Sequence, residues 1–378
     1  MPDTLIYADT IRAPELRHEV PIPISDAFLY AEVGGKRYAV VSALEIPRVR
    51  ELGGLEAVAY EEFGWDELIE QGIDREDLYL HLVPRACERL GVHEAIVPAT
   101  FPLALGDRLR EEGVDVRADR VFFSDRRRRK NAVELEGIRR AQRACEAAMD
   151  AVRDLLRRAG AGDSVLVLDG EPLTSERLKR AISDVFTERD MAADELIVSH
   201  GPQSAVGHEM GYGPIAPGEP IVVDIWPKDR ETACFADMTR TFVVGEPPAE
   251  LVEYHRLCLQ ALQEAIASIR AGKPGRDIFV GTCELFHRHG YKTQLSKEPG
   301  EVLEEGFFHG LGHGVGLEVH EEPGMGIASR GALVAGDVVT VEPGLYRPGF
   351  GGCRLEDLVL VTDSGAENLT DYPYDLTP

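Results

Sequence analysis

The sequence predicts an α+β chain of two domains, and three observations carry that reading. Residues 1–130 alternate short strand-like and helix-like stretches, as a small α/β unit does. Residues 131–378 change texture, with glycine-rich and β-branched strands set between amphipathic helices. Inside that longer region a pair of distant segments echo each other, which predicts a domain with an internal pseudo-two-fold repeat. The 378 residues suit two domains at roughly 100–200 residues each.

In the first unit, Arg37–Val41 and Ala95–Val97 read as buried strands. Between Glu67 and Leu90 helix formers prevail, with Gly72 and Pro84 read as breaks. The basic run Arg126–Lys130 reads as a solvated connector between the domains. After it, Leu135, Ile138, Cys145, Met149, Val152 and Leu156 recur at helical spacing and predict a long helix, stopped by Gly160 and Gly162. Further strands are expected at Ile221–Val223, Phe242–Val244, Val338–Val341 and Leu358–Val361. Amphipathic helices are expected around Leu251–Ile269 and Ile278–His289.

Charge and cysteine usage narrow the function. With 41 Lys and Arg against 66 Asp and Glu, the net charge is −25, and such a surface repels phosphate backbones. Nucleic acid is therefore not an expected partner. The six cysteines show no CxxC spacing and read as reduced thiols. Neither a signal-peptide pattern nor an apolar run of about 18–20 residues is present, so a cytoplasmic protein without a membrane partner is expected.

The echo carries the chemistry. Pro217–Asp224 (PGEPIVVD) can be laid on Ala335–Glu342 (AGDVVTVE): a Gly-acid turn, a buried strand, then a carboxylate. After a further turn each half offers a second acid at the start of another apolar strand, Asp237 before MTRTFVV and Glu356 before DLVLV. Two hairpins, each with a pair of acids on adjacent strands, are expected. Asp229 and Glu231, in the first turn, read as ordinary surface groups. Asp224, Asp237, Glu342 and Glu356 abut strands that should be buried. Two carboxylates about 4 Å apart repel by roughly 4 kcal/mol at an effective dielectric near 20. Two divalent cations among the four acids relieve that cost; a cluster of protonated acids is the alternative.

Between the hairpins runs FHGLGHGVGLEVH, with His309, His313 and His320 among glycines that let backbone pass close to a site. No GxxxxGK[ST] is present to suggest a phosphate loop. Oxygen ligands with one imidazole favour Mn²⁺, Co²⁺, Fe²⁺ or Zn²⁺.

These residues resemble the pita-bread metallopeptidases: prolidase, aminopeptidase P, methionine aminopeptidase and the related creatinase. The motifs are VVDIW…ADMTRTFVVG, FHGLGHGVGLEVHEEPG, VVTVEPGLY and CRLEDLVLV. The resemblance implies a creatinase/prolidase-like N-terminal domain over 1–130 and a pita-bread catalytic domain over 131–378. It implies two divalent ions, manganese foremost, held by Asp224, Asp237, His313, Glu342 and Glu356, with Asp237 and Glu356 bridging. His208, His309 and His320 match active-site histidines, and Arg354 matches the family's supporting arginine. A homodimer is also implied. In one departure, Asp-x-Gly at the first ligand is Asp224-Ile225-Trp226 here.

By resemblance the chain is expected to be an exopeptidase cleaving Xaa-Pro bonds in di- or oligopeptides through a metal-bridging hydroxide. Glu342 would shuttle the proton, His208 and His320 would bind the substrate carbonyl, and His309 would shape the proline side. The alternatives are a creatinase-like, metal-independent amidinohydrolase and a non-catalytic binding scaffold of the same fold. Both would be expected to lack a ligand, and all five are present.

Overall fold

In the computed structural model, which describes residues 2–378, the alternating first third forms a six-stranded sheet. Its strands are β1 (Thr4–Ala8), β2 (Phe28–Val33), β3 (Lys36–Val41), β4 (Glu56–Ala59), β5 (Glu94–Val97) and β6 (Asp115–Ala118), in the order β4-β3-β2-β1-β5-β6. β1, β2 and β3 pair antiparallel; β4, β5 and β6 join in parallel. Successive side chains point to opposite faces. Leu5 and Leu29 therefore enter one apolar cluster, and Ile6, Phe28 and Tyr30 enter another. Both faces are covered.

Pro84 does not break a helix as expected. It lies inside the helix Tyr79–Leu90, whose Leu82, Val83, Ala86 and Cys87 are buried. Burial of that face outweighs the single backbone bond that proline removes.

The chain divides into compact units at Met1–Arg127 and Arg128–Pro378, three residues before the boundary read from sequence. The basic run is not a solvated connector. Arg126 pairs with Glu19 and Glu32, and Arg127 is 6% exposed. Arg128 pairs with the buried Asp337, and Lys130 with Glu321, both of those side chains nearly inaccessible. Carboxylate partners make the burial of these cations tolerable.

The second unit opens on α1 (Ala132–Arg158), started by a capping box between Asn131 and Glu134. Ile138, Cys145, Met149, Val152 and Leu156 are buried in one stripe, as their spacing predicts. α2 (Ser175–Glu188) packs beside it, and the first half-sheet follows: β7 (Ile197–His200), β8 (Ile221–Ile225) and β9 (Met238–Phe242), all antiparallel. β9 ends at Phe242, so the expected strand Phe242–Val244 is displaced: Val243 bonds its amide to the Leu376 carbonyl and leaves the ladder.

Two helices, α3 (Ala249–Ser268) and α4 (Gly275–Arg288), separate the halves. The second half holds β10 (Gly312–Gly314), β11 (Glu321–Met325), β12 (Val338–Val341), a small hairpin β13 (Gly344–Arg347) and β14 (Gly351–Arg354), β15 (Asp357–Val361) and β16 (Ala366–Asn368). Its five-stranded sheet runs β11-β10-β12-β15-β16. All six cysteines are buried and free.

Candidate metal centre

Each acid of the echo stands at or near a strand end. Asp224 is the fourth residue of β8 and Asp237 immediately precedes β9; Glu342 follows β12 and Glu356 precedes β15. β8 pairs with β9, Asp224 opposite Thr239, and β12 pairs with β15, Val341 opposite Asp357. Register thus brings each pair of acids to one end of its ladder. Asp237 and Glu356 are 5% and 2% exposed.

β10 delivers the imidazole. A Cβ on Gly312 would lie 2.0 Å from the Thr340 carbonyl oxygen, and one on Gly314 2.4 Å from that of Glu322. Glycine at both places lets β10 slot between β11 and β12 and point His313 at the acids. His313 Nδ1 is 3.2 Å from the Gly314 carbonyl, which can only accept, so Nδ1 carries the hydrogen. The bare Nε2 then faces Glu342 Oε1 at 3.5 Å and Asp237 Oδ2 at 3.7 Å. A metal-binding histidine needs this tautomer.

Asp224, Asp237 and Glu342 all feel the charge of the Arg354 guanidinium. It donates from Nη2 to Asp224 Oδ2 at 2.5 Å, from Nη1 to the Tyr346 hydroxyl at 2.9 Å and from Nε to Thr239 Oγ1 at 3.3 Å. Asp237 and Glu356 are held well above the usual carboxylate range by burial and then by the neighbouring acids. Glu342 is pushed up to about 7, mainly by burial. Burial also lowers His313, and lowers His309 to about 3. A pocket of mutually repelling carboxylates beside a neutral imidazole fits divalent cations, and one ligand atom from each of Asp237, His313 and Glu356 lies within 4.8 Å of the others.

The other histidines gather at the same place. His320 is exposed, its ring 4.2 Å from that of His313. His208, exposed in the loop after β7, acts electrostatically on His309, His320 and Glu342. His309 has both ring nitrogens engaged: Nδ1 donates to the Gly310 carbonyl at 2.7 Å, and Nε2 accepts from the Tyr346 hydroxyl at 3.0 Å. The structure therefore assembles all nine residues singled out from sequence.

Three supports were missed. Tyr346 joins His309 to Arg354. Thr239 Oγ1 donates to Glu356 Oε2 at 2.7 Å, and Thr340 Oγ1 accepts the His313 amide at 3.1 Å. Their signal was present, a threonine two residues from an acid on each metal strand, but the partners are remote in sequence. Asp229 corrects the surface reading: it is 3% exposed, takes Arg140 Nη2 at 2.6 Å, and accepts the Thr232 amide at 3.0 Å. Glu231 is exposed as expected.

Known proteins resemble the chain in sequence and in fold. A family model described as metallopeptidase family M24 matches residues 136–363. The chain is 34% identical over 179 residues to the Xaa-Pro dipeptidase of Pyrococcus furiosus, covering 47% of each protein, so that it spans about half the length of that curated relative. Among solved structures, the Xaa-Pro dipeptidase from Bacillus anthracis superposes with a TM-score of 0.79 at 22% identity, over 100% of this chain and 94% of that one. X-Pro aminopeptidase from Thermotoga maritima gives 0.77 at 21%, over 99% and 97%. At these identities the two structures show a shared fold.

Proposed function

The chain belongs to metallopeptidase family M24, and from that membership we propose that it is an Xaa-Pro exopeptidase of the dipeptidase type. The observation that carries the reading is the convergence of Asp237, His313 and Glu356, with Asp224 and Glu342 beside them, on one buried pocket. These five residues would hold two divalent cations. When bound, such ions polarise a scissile carbonyl and activate water.

The remaining steps belong to the chain's own residues. Glu342 takes the proton of the attacking water on a carboxylate oxygen and passes it to the leaving nitrogen. His208 and His320, both exposed toward solvent, donate to the substrate carbonyl as negative charge develops there. His309 has no free ring nitrogen, so it acts through shape: with Phe308 and Tyr346 it forms an aromatic wall, with ring centroids 4.9–5.9 Å apart. Such a wall suits the proline ring, which brings no amide hydrogen to satisfy.

Cleavage of Ala-Pro and Ala-Pro-Ala by manganese-loaded protein tests the reading. Turnover of Ala-Pro with little of the tripeptide supports a dipeptidase; the reverse assigns an aminopeptidase. No cleavage of either refutes the Xaa-Pro assignment.

A further inference from the structure

His200 is the last residue of β7 and is 6% exposed. Its Nδ1 lies 2.9 Å from Glu219 Oε2 and its Nε2 3.1 Å from the Tyr212 carbonyl oxygen. Neither partner can donate: one is a carboxylate, the other a carbonyl. Only the imidazolium, with a hydrogen on each nitrogen, satisfies both at once. The Glu219 carboxyl is correspondingly held below its usual range, first by this bond.

Glu219 stands five residues before Asp224 in the turn entering β8, and Tyr212 four residues after His208. The loop between His200 and Tyr212 is pinned at its base. Gln203 Nε2 donates to the Tyr212 carbonyl and Gln203 Oε1 accepts its amide, both at 3.0 Å. Gly201 (φ +50°) and Gly211 (φ +81°) let the base close: a Cβ on the first would meet Glu219 at 2.5 Å, and on the second the Val198 carbonyl at 1.9 Å. Beyond this base the chain opens out, with Val206 60% exposed and His208 exposed beside it. The other charged groups here serve the loop backbone: Lys179 and Glu176 of α2 bond Gly211 and Gly213, and Glu209 bonds the Gly211 amide.

We propose that His200 is a positioning residue of the substrate site, whose imidazolium, clamped between Glu219 and the Tyr212 carbonyl, fixes the loop that presents His208. This rests on the reading of His208 as a substrate-binding group. Loss of either bond frees the loop, so substrate binding weakens while the metal ligands stay in place.

The test uses metal-loaded enzyme, Ala-Pro as substrate, and the variants His200→Gln, Glu219→Gln and His208→Ala. Loss of one charged hydrogen bond should raise KM about tenfold in His200→Gln and in Glu219→Gln, with kcat and metal content near wild type. Hydrogen exchange of residues 203–213 should quicken in Glu219→Gln relative to wild type; this and the KM of Glu219→Gln decide the matter if His200→Gln does not fold. Wild-type KM in His200→Gln, with KM raised in His208→Ala, overturns the clamp alone. Unchanged KM in His208→Ala overturns both the clamp and the placing of His208.

Discussion

Thr239 and Glu356 hold each other twice across the two halves of the second unit. The Glu356 amide donates to the Thr239 carbonyl at 3.0 Å, and the Thr239 hydroxyl donates to Glu356 Oε2 at 2.7 Å. One bond fixes where β15 begins; the other aims the carboxylate. Thr239→Val keeps the shape and the backbone bond, and deletes the second together with the 3.3 Å bond from Arg354 Nε. Supporting hydrogen bonds of this kind are worth about 10–100-fold in metal affinity. Calorimetric titration with Mn²⁺ should show a loss in that range, with the backbone pairing of β8 and β9 intact by hydrogen exchange.

Tyr346 is the link between the aromatic wall and the proposed metal ligands, donating to His309 and accepting from Arg354, which holds Asp224. Tyr346→Phe retains the ring and removes both bonds. His309 then loses its fixed orientation, and kcat/KM for Ala-Pro should fall at least tenfold, about 1.4 kcal/mol. Metal content by elemental analysis should stay at the wild-type level.

The buried acids give the metal-free protein an unusual pH dependence. Asp237, Glu356 and Glu342 are raised by burial and mutual repulsion, Glu342 to about 7. A folded carboxyl raised above its unfolded value near 4.3 binds more protons than the unfolded chain does, so stability falls as pH rises from about 5 to 7. Thermal unfolding of chelator-treated protein should give a higher Tm at about pH 5.5 than at about pH 7.5. Saturating Mn²⁺ should reverse the order, because ionised carboxylates are the ligands. Glu356→Gln should flatten the metal-free profile.

Gly312 tests whether backbone proximity is what glycine supplies beside His313. Gly312→Ala would force its Cβ against the Thr340 carbonyl and push β10 away from β12. Overpacking of this sort costs about 1–3 kcal/mol. Chemical denaturation should register that loss, accompanied by weaker metal binding, since His313 moves with the strand. Gly349→Ala is the control for an open turn: nothing lies within 4 Å there, so metal affinity should hold, and any stability cost comes from its φ of +77° alone.

The sequence showed the site more fully than it showed its supports. Val338–Val341 and Ile221–Val223 are apolar runs closed by an acid, the pattern that a buried strand leaves when it ends at a cation site. Tyr346 left no such trace, because its role depends on His309, 37 residues away, and Arg354, on the paired strand. Arg128 and Asp229 were misread for a related reason. Composition assigns charge to the surface, whereas Asp337 and Arg140 make burial tolerable only once the chain has folded. Pro84 was misread because local propensity ignores the buried face that its helix presents to the first sheet.

Counting divalent ions on the purified protein tests the central claim most directly. Elemental analysis should find two per chain in the wild type, and both Asp237→Ala and Glu356→Ala should lose metal and Ala-Pro cleavage together. A folded wild-type protein that takes up no divalent ion, or either variant cleaving Ala-Pro at the full rate, would contradict it.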